Sequence, residues 1–95
     1  MTLVELELVL ADRLGLDAQE TSRVVRGALA LVAERLATGE DVKLQGFGRF
    51  SASERPARRR KDPRDGRDLD VPARRAAVFR PSRLLRERLN KPEGR

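Results

Sequence analysis

The sequence predicts an α+β protein in which two helices precede a small antiparallel sheet and a long, charged hairpin. Three observations indicate this fold class. Apolar residues recur with the helical period up to Leu36, and polar and apolar residues alternate from Asp41 onwards. The segment after Phe50 contains almost no large apolar side chain. The chain has 95 residues, which corresponds to one domain. A single core of this size is marginal, so dimerisation would add to its stability.

Both predicted helices have recognisable ends. The first begins with Thr2 and Glu5, which have the spacing of a capping box, and it stops at Gly15. Asp17 repeats the capping pattern for the second helix, which ends near Gly39. The short link between the helices predicts that they fold back on one another. Each helix has one apolar stripe, made of Leu6, Val9, Leu10 and Leu14 in the first and of Val25, Ala28, Leu29, Val32 and Leu36 in the second.

A strand with one buried and one solvent-exposed face is predicted next, because Val42 and Leu44 alternate with polar residues. The glycines on either side of Phe47 mark a hairpin corner or a close approach of two backbones. Val78 and Phe79 are predicted to return the chain to the core. All three phenylalanines lie in apolar surroundings, which favours core positions over stacking platforms. The predicted dimer core comprises Leu29, Val32, Leu36, Leu44, Phe47, Phe50 and Phe79.

The segment between Phe50 and Val78 is predicted to be either disordered or a hairpin that projects from the body, because Leu69 and Val71 are its only large aliphatic residues and it cannot pack a core. Turn signals at Asp62-Pro63 and Asp65-Gly66 mark its tip. In the hairpin, residues 51–60 and 67–76 would pair as the two arms of an antiparallel ribbon. A last helix follows, with Ser82 as its N-cap. The single domain 1–95 thus comprises a helical dimerisation part with the first strand (1–45), the sheet and arm (46–81), a C-terminal helix (82–90) and a tail (91–95).

Positive charge is concentrated in the second half of the chain. Residues 1–45 contain five Lys or Arg and eight Asp or Glu, a net charge of −3, whereas residues 46–95 contain sixteen and seven, a net charge of +9. This asymmetry indicates a surface that binds a polyanion, and arginine suits forked hydrogen bonding to phosphate. The candidate binding residues are Arg55, Arg58, Arg59, Arg60, Lys61, Arg64, Arg67, Arg74, Arg75, Arg80, Arg83 and Arg86.

The sequence gives little support to an enzymatic function or to a membrane-spanning protein. The chain has no Cys and no His, so thiolate chemistry and the commonest proton shuttle and metal ligand are absent. The carboxylates lie at helix starts or among arginines, where structural roles explain them. We expect no catalytic site, no metal and no cofactor. The N-terminus lacks the basic start of a signal peptide, and no apolar run approaches the roughly 18 residues of a membrane span, which predicts a cytoplasmic protein.

The segment Gly46-Phe47-Gly48-Arg49-Phe50 invites two other interpretations, and both fit poorly. It is not a phosphate-binding loop, because the required third glycine is missing and no helix is predicted to begin there. It is similar to the Gly-Phe-Gly core of an RNA-recognition strand. However, position 45 is Gln, Ser51 and Ala52 are small, and two helices precede the segment where a strand should be.

The order of these elements resembles the bacterial HU/IHF family of DNA-bending, histone-like nucleoid proteins. The resemblance covers residues 2–90 without gaps. It depends on residues that match the family at corresponding positions, namely Gly46, Phe47, Gly48, Phe50, Arg55, Arg58, Pro63, Gly66, Phe79, Arg80 and Leu85. Proteins of this family are known to bind the minor groove and to insert an apolar wedge between base pairs.

The resemblance implies an intertwined dimer with a helical body, a β-sheet saddle and two protruding β-ribbon arms on double-stranded DNA. Pro63 would be the intercalating wedge. The resemblance further implies that the arm follows the minor groove and its phosphates through Arg55, Arg58, Lys61, Arg64 and Arg67. Arg80, Arg83 and Arg86 would hold phosphates against the body. A proline suits the wedge because its ring is stiff, apolar and free of an amide donor.

Several residues depart from the family pattern. Lys61-Asp62 stands where Arg-Asn is usual, which puts a carboxylate beside the wedge. Arg59 and Arg60 replace a common Thr-Gly pair, Ser82 replaces a frequent glycine, and Leu3 replaces a lysine. These departures affect the expected bend angle and affinity rather than the fold.

Three functions remain open at this stage. The first is HU-like binding and bending of DNA with little sequence preference, because the minor groove carries a degenerate code. The second is an IHF-like, site-preferring subunit that forms a heterodimer, which Ala73-Arg74-Arg75 and Phe79-Arg80-Pro81 also fit. The third is a structural interaction protein whose arms bind acidic protein surfaces. Homodimer and heterodimer are both compatible with the sequence.

Overall fold

The computed structural model describes residues 1–91 and shows the predicted α+β architecture. Three helices and five strands follow one another along the chain. They form two compact units, residues 1–35 and the part beginning at Leu36. Of the predicted tail, residues 92–95 lie outside the described part. The elements are α1 (Leu3–Leu14), α2 (Ala18–Ala37), β1 (Val42–Leu44), β2 (Gly48–Arg55), β3 (Arg58–Lys61), β4 (Asp68–Val71), β5 (Arg74–Pro81) and α3 (Arg83–Leu89).

The first unit is a helical hairpin whose caps agree with the prediction. The Glu5 amide donates to Thr2 Oγ1 at 3.2 Å, and the Glu5 carboxylate accepts from the same hydroxyl at 3.2 Å. Gly15 ends α1 with a left-handed φ of 66°. The helices fold back on one another, so that Arg26 Nε lies 2.9 Å from Glu7 Oε2. Glu7 is 5 % exposed and is therefore a buried charge with a partner.

Strands β1, β2 and β5 form an antiparallel sheet in that order. The turn between β1 and β2 is tight, with a hydrogen bond of 2.9 Å from the Phe47 amide to the Leu44 carbonyl. Gly46 has a φ of 77° in this turn, a left-handed conformation that glycine adopts without steric cost. The Ser82 amide donates to the Phe47 carbonyl at 2.9 Å and so ties the turn to the residue that caps α3.

Strands β3 and β4 form a separate two-stranded ribbon that continues the register of β2 and β5. Arg55 pairs with Arg74 in the sheet, and Arg58 pairs with Val71 in the ribbon. Two residues therefore lie between the sheet and the ribbon on each strand, and the register is kept. The ladder is interrupted at residues 56–57 and 72–73, whereas the sequence predicted continuous arms. Pro56 and Pro72 explain the interruption, because proline has no amide hydrogen to donate to a ladder.

The aromatic residues occupy one face of the three-stranded sheet. Phe79 contacts both Phe50 and Phe47, with ring centroids 4.8 and 5.3 Å apart. Val78 does not join them, because alternation along β5 turns it to the opposite face. Val78 is partly buried on that opposite face. None of the helices within residues 1–91 is both long and apolar enough to cross a membrane.

Candidate DNA interface

The three-stranded sheet has one strongly basic face. Strand residues alternate between two faces, and the register places each residue on the same face as its cross-strand partner. The face opposite the phenylalanines therefore carries cations at both ends and uncharged side chains between them. This basic face comprises Lys43, Arg49, Ser51, Ser53, Arg55, Arg74, Ala76, Val78 and Arg80.

Like charges lie directly opposite each other on the basic face. Arg49 has Lys43 on one side and Arg80 on the other, and Arg55 is opposite Arg74. Like charges directly opposite each other destabilise a sheet. Every other charged cross-strand pair within residues 1–91 joins opposite signs. The basic face thus concentrates positive charge where folding alone would favour neutralising it.

The ribbon of β3 and β4 has two chemically different faces. Arg58, Arg60, Leu69 and Val71 share the first, which we call the arginine-aliphatic face. The second, mixed-charge face carries Arg59, Lys61, Asp68 and Asp70. On that face, Arg59 lies 3.1 Å from the Asp70 carboxylate and 3.9 Å from that of Asp68. The cations free to bind an external anion are thus mainly on the arginine-aliphatic face.

The tip of the ribbon is a well-bonded turn with Pro63 exposed. The Asp62 amide donates to the Arg67 carbonyl at 2.7 Å, and the Gly66 amide donates to the Asp62 carbonyl at 2.9 Å. Asp62 Oδ1 accepts from the Arg64 amide at 2.8 Å, and Asp65 Oδ1 accepts from the Arg67 amide at 3.0 Å. Both carboxylates therefore stabilise the turn from within, as Asx-turns do. Such bonding orders the backbone around the exposed proline ring.

Three predicted residues near the sheet have different surroundings. Arg75 lies on the aromatic side of β5, opposite Glu54, and its Nη1 donates to the Ala37 carbonyl at 2.7 Å. This bond satisfies a carbonyl at the C-terminal end of α2, so the structure does not bring Arg75 to the basic face. In α3, Arg83 Nε lies 2.8 Å from Glu87 Oε1, and Arg86 is exposed.

Apolar side chains remain exposed in both units. In the helical unit Leu29 is 52 % exposed and Val32 is partly exposed. In the second unit Phe47 is 47 % and Phe79 is 39 % exposed. Leu36, Leu44 and Phe50, the remaining predicted dimer-core residues, are each at least partly exposed as well. A single copy therefore leaves uncovered the residues that were predicted to form a dimer core.

The sequence prediction missed two cations of the basic face, Lys43 and Arg49. A signal for both was present, because each alternates with apolar or glycine positions and thus belongs to the solvent-exposed face of its strand. Each is an isolated positive charge, whereas the arginines from Arg58 onwards form a continuous run. Only the strand order shows that Lys43, Arg49 and Arg80 form one row.

A basic sheet face joined to a ribbon with a proline tip is the architecture of a nucleic-acid-binding protein. The chain matches the family described as bacterial DNA-binding protein over residues 1–90, and it belongs to that family, which includes HU and integration host factor. The family consists of DNA-binding proteins rather than enzymes. This membership confirms the predicted family, the predicted DNA partner and the prediction that the chain is not an enzyme.

Proteins named integration host factor and proteins named HU are both similar to this chain. Integration host factor subunit alpha from Histophilus somni is 40 % identical over 91 residues, which span 96 % of this chain and 93 % of that protein. The SPbeta prophage-derived DNA-binding protein HU 2 of Bacillus subtilis is 33 % identical over 87 residues, with coverage of 92 % and 95 %.

Solved structures confirm the fold. The HU chain in an Anabaena HU–DNA cocrystal structure superimposes with a TM-score of 0.86 at 30 % identity, covering 97 % of this chain and 100 % of that one. An HU variant from Thermotoga maritima gives a TM-score of 0.72 at 22 % identity, with coverage of 95 % and 100 %. The predicted α+β fold with a β-ribbon arm is thus confirmed.

Proposed function

We propose that this chain forms a dimer that binds double-stranded DNA with little sequence preference and bends it as an architectural protein of the bacterial nucleoid. The observation that carries the proposal is the ribbon itself: a two-stranded arm in constant register with the sheet, ending in an exposed, well-bonded proline turn. The arm enters the minor groove, and Pro63 acts as a wedge between base pairs. A similar HU protein was crystallised with DNA.

The arm grips the groove mainly through its arginine-aliphatic face. Arg58 and Arg60 make no ion pair within residues 1–91, so their guanidinium groups are available to phosphates. Leu69 and Val71 beside them supply apolar surface against the groove walls. Arg59 contributes less, because Asp70 and Asp68 already neutralise it. Lys61, Arg64 and Arg67 extend the interface towards the tip, and Arg55 and Arg74 extend it onto the sheet.

A dimer is proposed because a single copy leaves a large apolar surface exposed to solvent. Leu29 and Phe47 are each about half exposed, as are several other large aliphatic residues of α1 and α2. Burial of these side chains against a second copy would stabilise both chains, since a small chain with a projecting arm has little core of its own. Sedimentation at micromolar concentration should show a dimer, and a folded monomer would contradict this part of the proposal.

A second candidate function is that of a site-preferring subunit that pairs with a different chain. The observation favouring it is that relatives from Histophilus somni, Maricaulis maris and Pasteurella multocida are all named integration host factor subunit alpha. Competition between a random linear duplex and genomic fragments separates the two functions. Equal competition supports the HU-like function, whereas protection of a discrete site in a footprint supports the second candidate.

Salt dependence of binding tests the proposed interaction of the arm with phosphates. The logarithm of the binding constant should fall with the logarithm of salt concentration by about 0.9 for each phosphate bound. Arg58→Ala in both protomers should reduce this slope by about 1.8 if each protomer then binds one phosphate fewer. Arg59→Ala is the matched control, since it removes the same charge from the neighbouring residue on the mixed-charge face. Equal slopes for the two variants would contradict the assigned orientation of the arm.

A further inference from the structure

The side chain of Arg75 contacts the end of α2 instead of the basic face. Its Nη1 donates to the Ala37 carbonyl at 2.7 Å, although the two residues are 38 positions apart in the chain. Ala37 is the last residue of α2, so its carbonyl has no partner within the helix. The guanidinium group also places positive charge at the negative end of the helix dipole. Glu54 lies opposite Arg75 in the ladder but makes no ion pair with it or with any other residue in 1–91.

This contact lies at the arm end of the sheet. On the same face, the aromatic cluster lies four residues further along β5, at Phe79, which is about 14 Å away in an extended strand. The pair between them is Ala52 and Ala77, whose short side chains reach no other element. Arg75 is therefore the side chain that fastens the arm end of this face to a neighbouring helix.

The arm begins directly beyond the contact. One more pair completes the sheet, and Pro56 and Pro72 then interrupt the ladder before the ribbon starts. Gly66 in the tip is nine residues from Arg75 along the chain, or about 30 Å in an extended strand. A tilt of about 10° at Arg75 would move the tip by about 5 Å. This displacement exceeds the spacing of about 3.4 Å between successive phosphates along the axis of a DNA strand.

We infer that Arg75 is a positioning residue for DNA bending. Its bond to the Ala37 carbonyl fixes the direction in which the arm leaves the sheet, and so the place at which Pro63 meets the duplex. The inference rests on the proposed function, because it concerns the same arm and wedge. It gives Arg75 a role other than phosphate binding, since the guanidinium group is engaged on the side opposite the basic face. Loss of the bond should change the geometry of the arm and leave the number of bound phosphates unchanged.

The distance between the two arm tips of the free dimer reports the direction of the arm without DNA. The chain has no cysteine, so Arg64→Cys introduces one spin-label site per protomer, at a side chain that is 91 % exposed. In this background, Arg75→Met keeps a long side chain but removes the donor and the charge. It should broaden the distribution of tip-to-tip distances or shift it by several ångströms. Arg75→Lys keeps a charge and a donor and should restore much of the parent distribution.

Arg74→Met is the matched control, because it removes the same charge from the adjacent residue, which lies on the basic face. It should keep the parent distances and reduce the slope of the logarithm of the binding constant against that of salt concentration. The expected reduction is about 1.8 per dimer if each protomer binds one phosphate fewer. Without a label, Arg75→Met should keep the parent slope and bend a saturated duplex less, as measured by end-to-end energy transfer.

Unchanged tip distances for Arg75→Met would overturn the inference, and so would a slope reduced as much as that of Arg74→Met. A purely stabilising role for the bond predicts a lower melting temperature with the parent distances, which would also overturn it. Arg75→Gln, with a shorter side chain that keeps a polar amide, repeats the test if methionine prevents folding. In each of these cases the proposed function stands as long as the parent bends DNA. Failure of the parent to bend a duplex would instead refute the proposed function.

Discussion

The Phe79 ring lies directly over Gly48 in the neighbouring strand. A Cβ atom at position 48 would lie 2.5 Å from Phe79 Cε1 and 2.7 Å from the Arg80 carbonyl oxygen. Both distances are shorter than any van der Waals contact, so only glycine fits there. This close approach explains the second glycine of the Gly46-Phe47-Gly48 segment, and it fixes the ring that joins Phe47 and Phe50.

Gly48→Ala is expected to destabilise the protein by about 1–3 kcal/mol or more, because the added methyl group clashes with a ring and with backbone that belongs to the same ladder. Gly27→Ala is the matched control. Gly27 lies within α2, and a Cβ added there would have no atom within 4 Å, so alanine should be neutral or stabilising. Urea unfolding of the two variants measures the difference. Equal free energies of unfolding for the two variants would show that β2 and β5 move apart at little cost to accommodate the methyl group.

The stability of the helical hairpin should depend on acidic pH through Glu7. The Arg26 guanidinium, which donates to Glu7 Oε2 at 2.9 Å, lowers the pKa of this carboxyl below its ordinary value of 4.5, although burial acts in the opposite direction. A lowered pKa stabilises the folded state above pH 4.5, and this contribution is lost as the pH falls through the folded-state pKa.

Unfolding curves of the parent and Glu7→Gln over a range of pH test this dependence. The other carboxylates are common to both proteins, so they largely cancel in the difference. The parent should be the more stable protein near neutral pH, and its advantage should shrink below pH 4.5. A difference that does not change with pH would show that the Glu7 charge does not stabilise the fold.

Asp62 should affect DNA affinity through its charge and the arm tip through its hydrogen bond. Asp62→Asn keeps an oxygen that can accept from the Arg64 amide, and it removes a negative charge beside the proposed wedge. We expect affinity to rise by at most about 1 kcal/mol, given screening at the tip. Asp62→Ala removes the same charge and also the acceptor, so it should loosen the turn. If Asp62→Asn binds a duplex no better than the parent at low salt, the carboxylate points away from phosphate.

Local features of the fold could be predicted from the sequence, and features that depend on strand pairing could not. The caps at Thr2 and Ser82 agree with expectation because each involves residues only three positions apart. The basic row depends on pairing Arg49 with Arg80, which lie far apart in the chain. No local pattern indicates that partner.

The ribbon has features that could be predicted from local sequence and features that depend on strand pairing. The turn signals placed its tip correctly, because Asp62 and Asp65 each accept a hydrogen bond two residues along the chain. Pro56 and Pro72 indicate an interruption of the ladder, because neither can donate a backbone hydrogen bond. The division of β3 and β4 into two faces required the register that pairs Arg59 with Asp70.

In the proposed function, Pro63 bends DNA as a wedge, while charged residues supply most of the affinity. Pro63→Ala should therefore reduce bending more than binding, because the phosphates remain bound and the kink is lost. Pro72→Ala is the matched control, since it also removes one proline from the arm but lies at the interruption of the ladder rather than at the tip. It should leave the bend largely unchanged.

The most direct measurement is end-to-end energy transfer on a short duplex saturated with each variant, run beside a binding titration. The wedge predicts that the Pro63→Ala complex holds the DNA ends farther apart than the parent and Pro72→Ala complexes do, with only a modest loss of affinity. A Pro63→Ala complex that bends the duplex as strongly as the parent would contradict the wedge and leave the arm as an electrostatic grip alone.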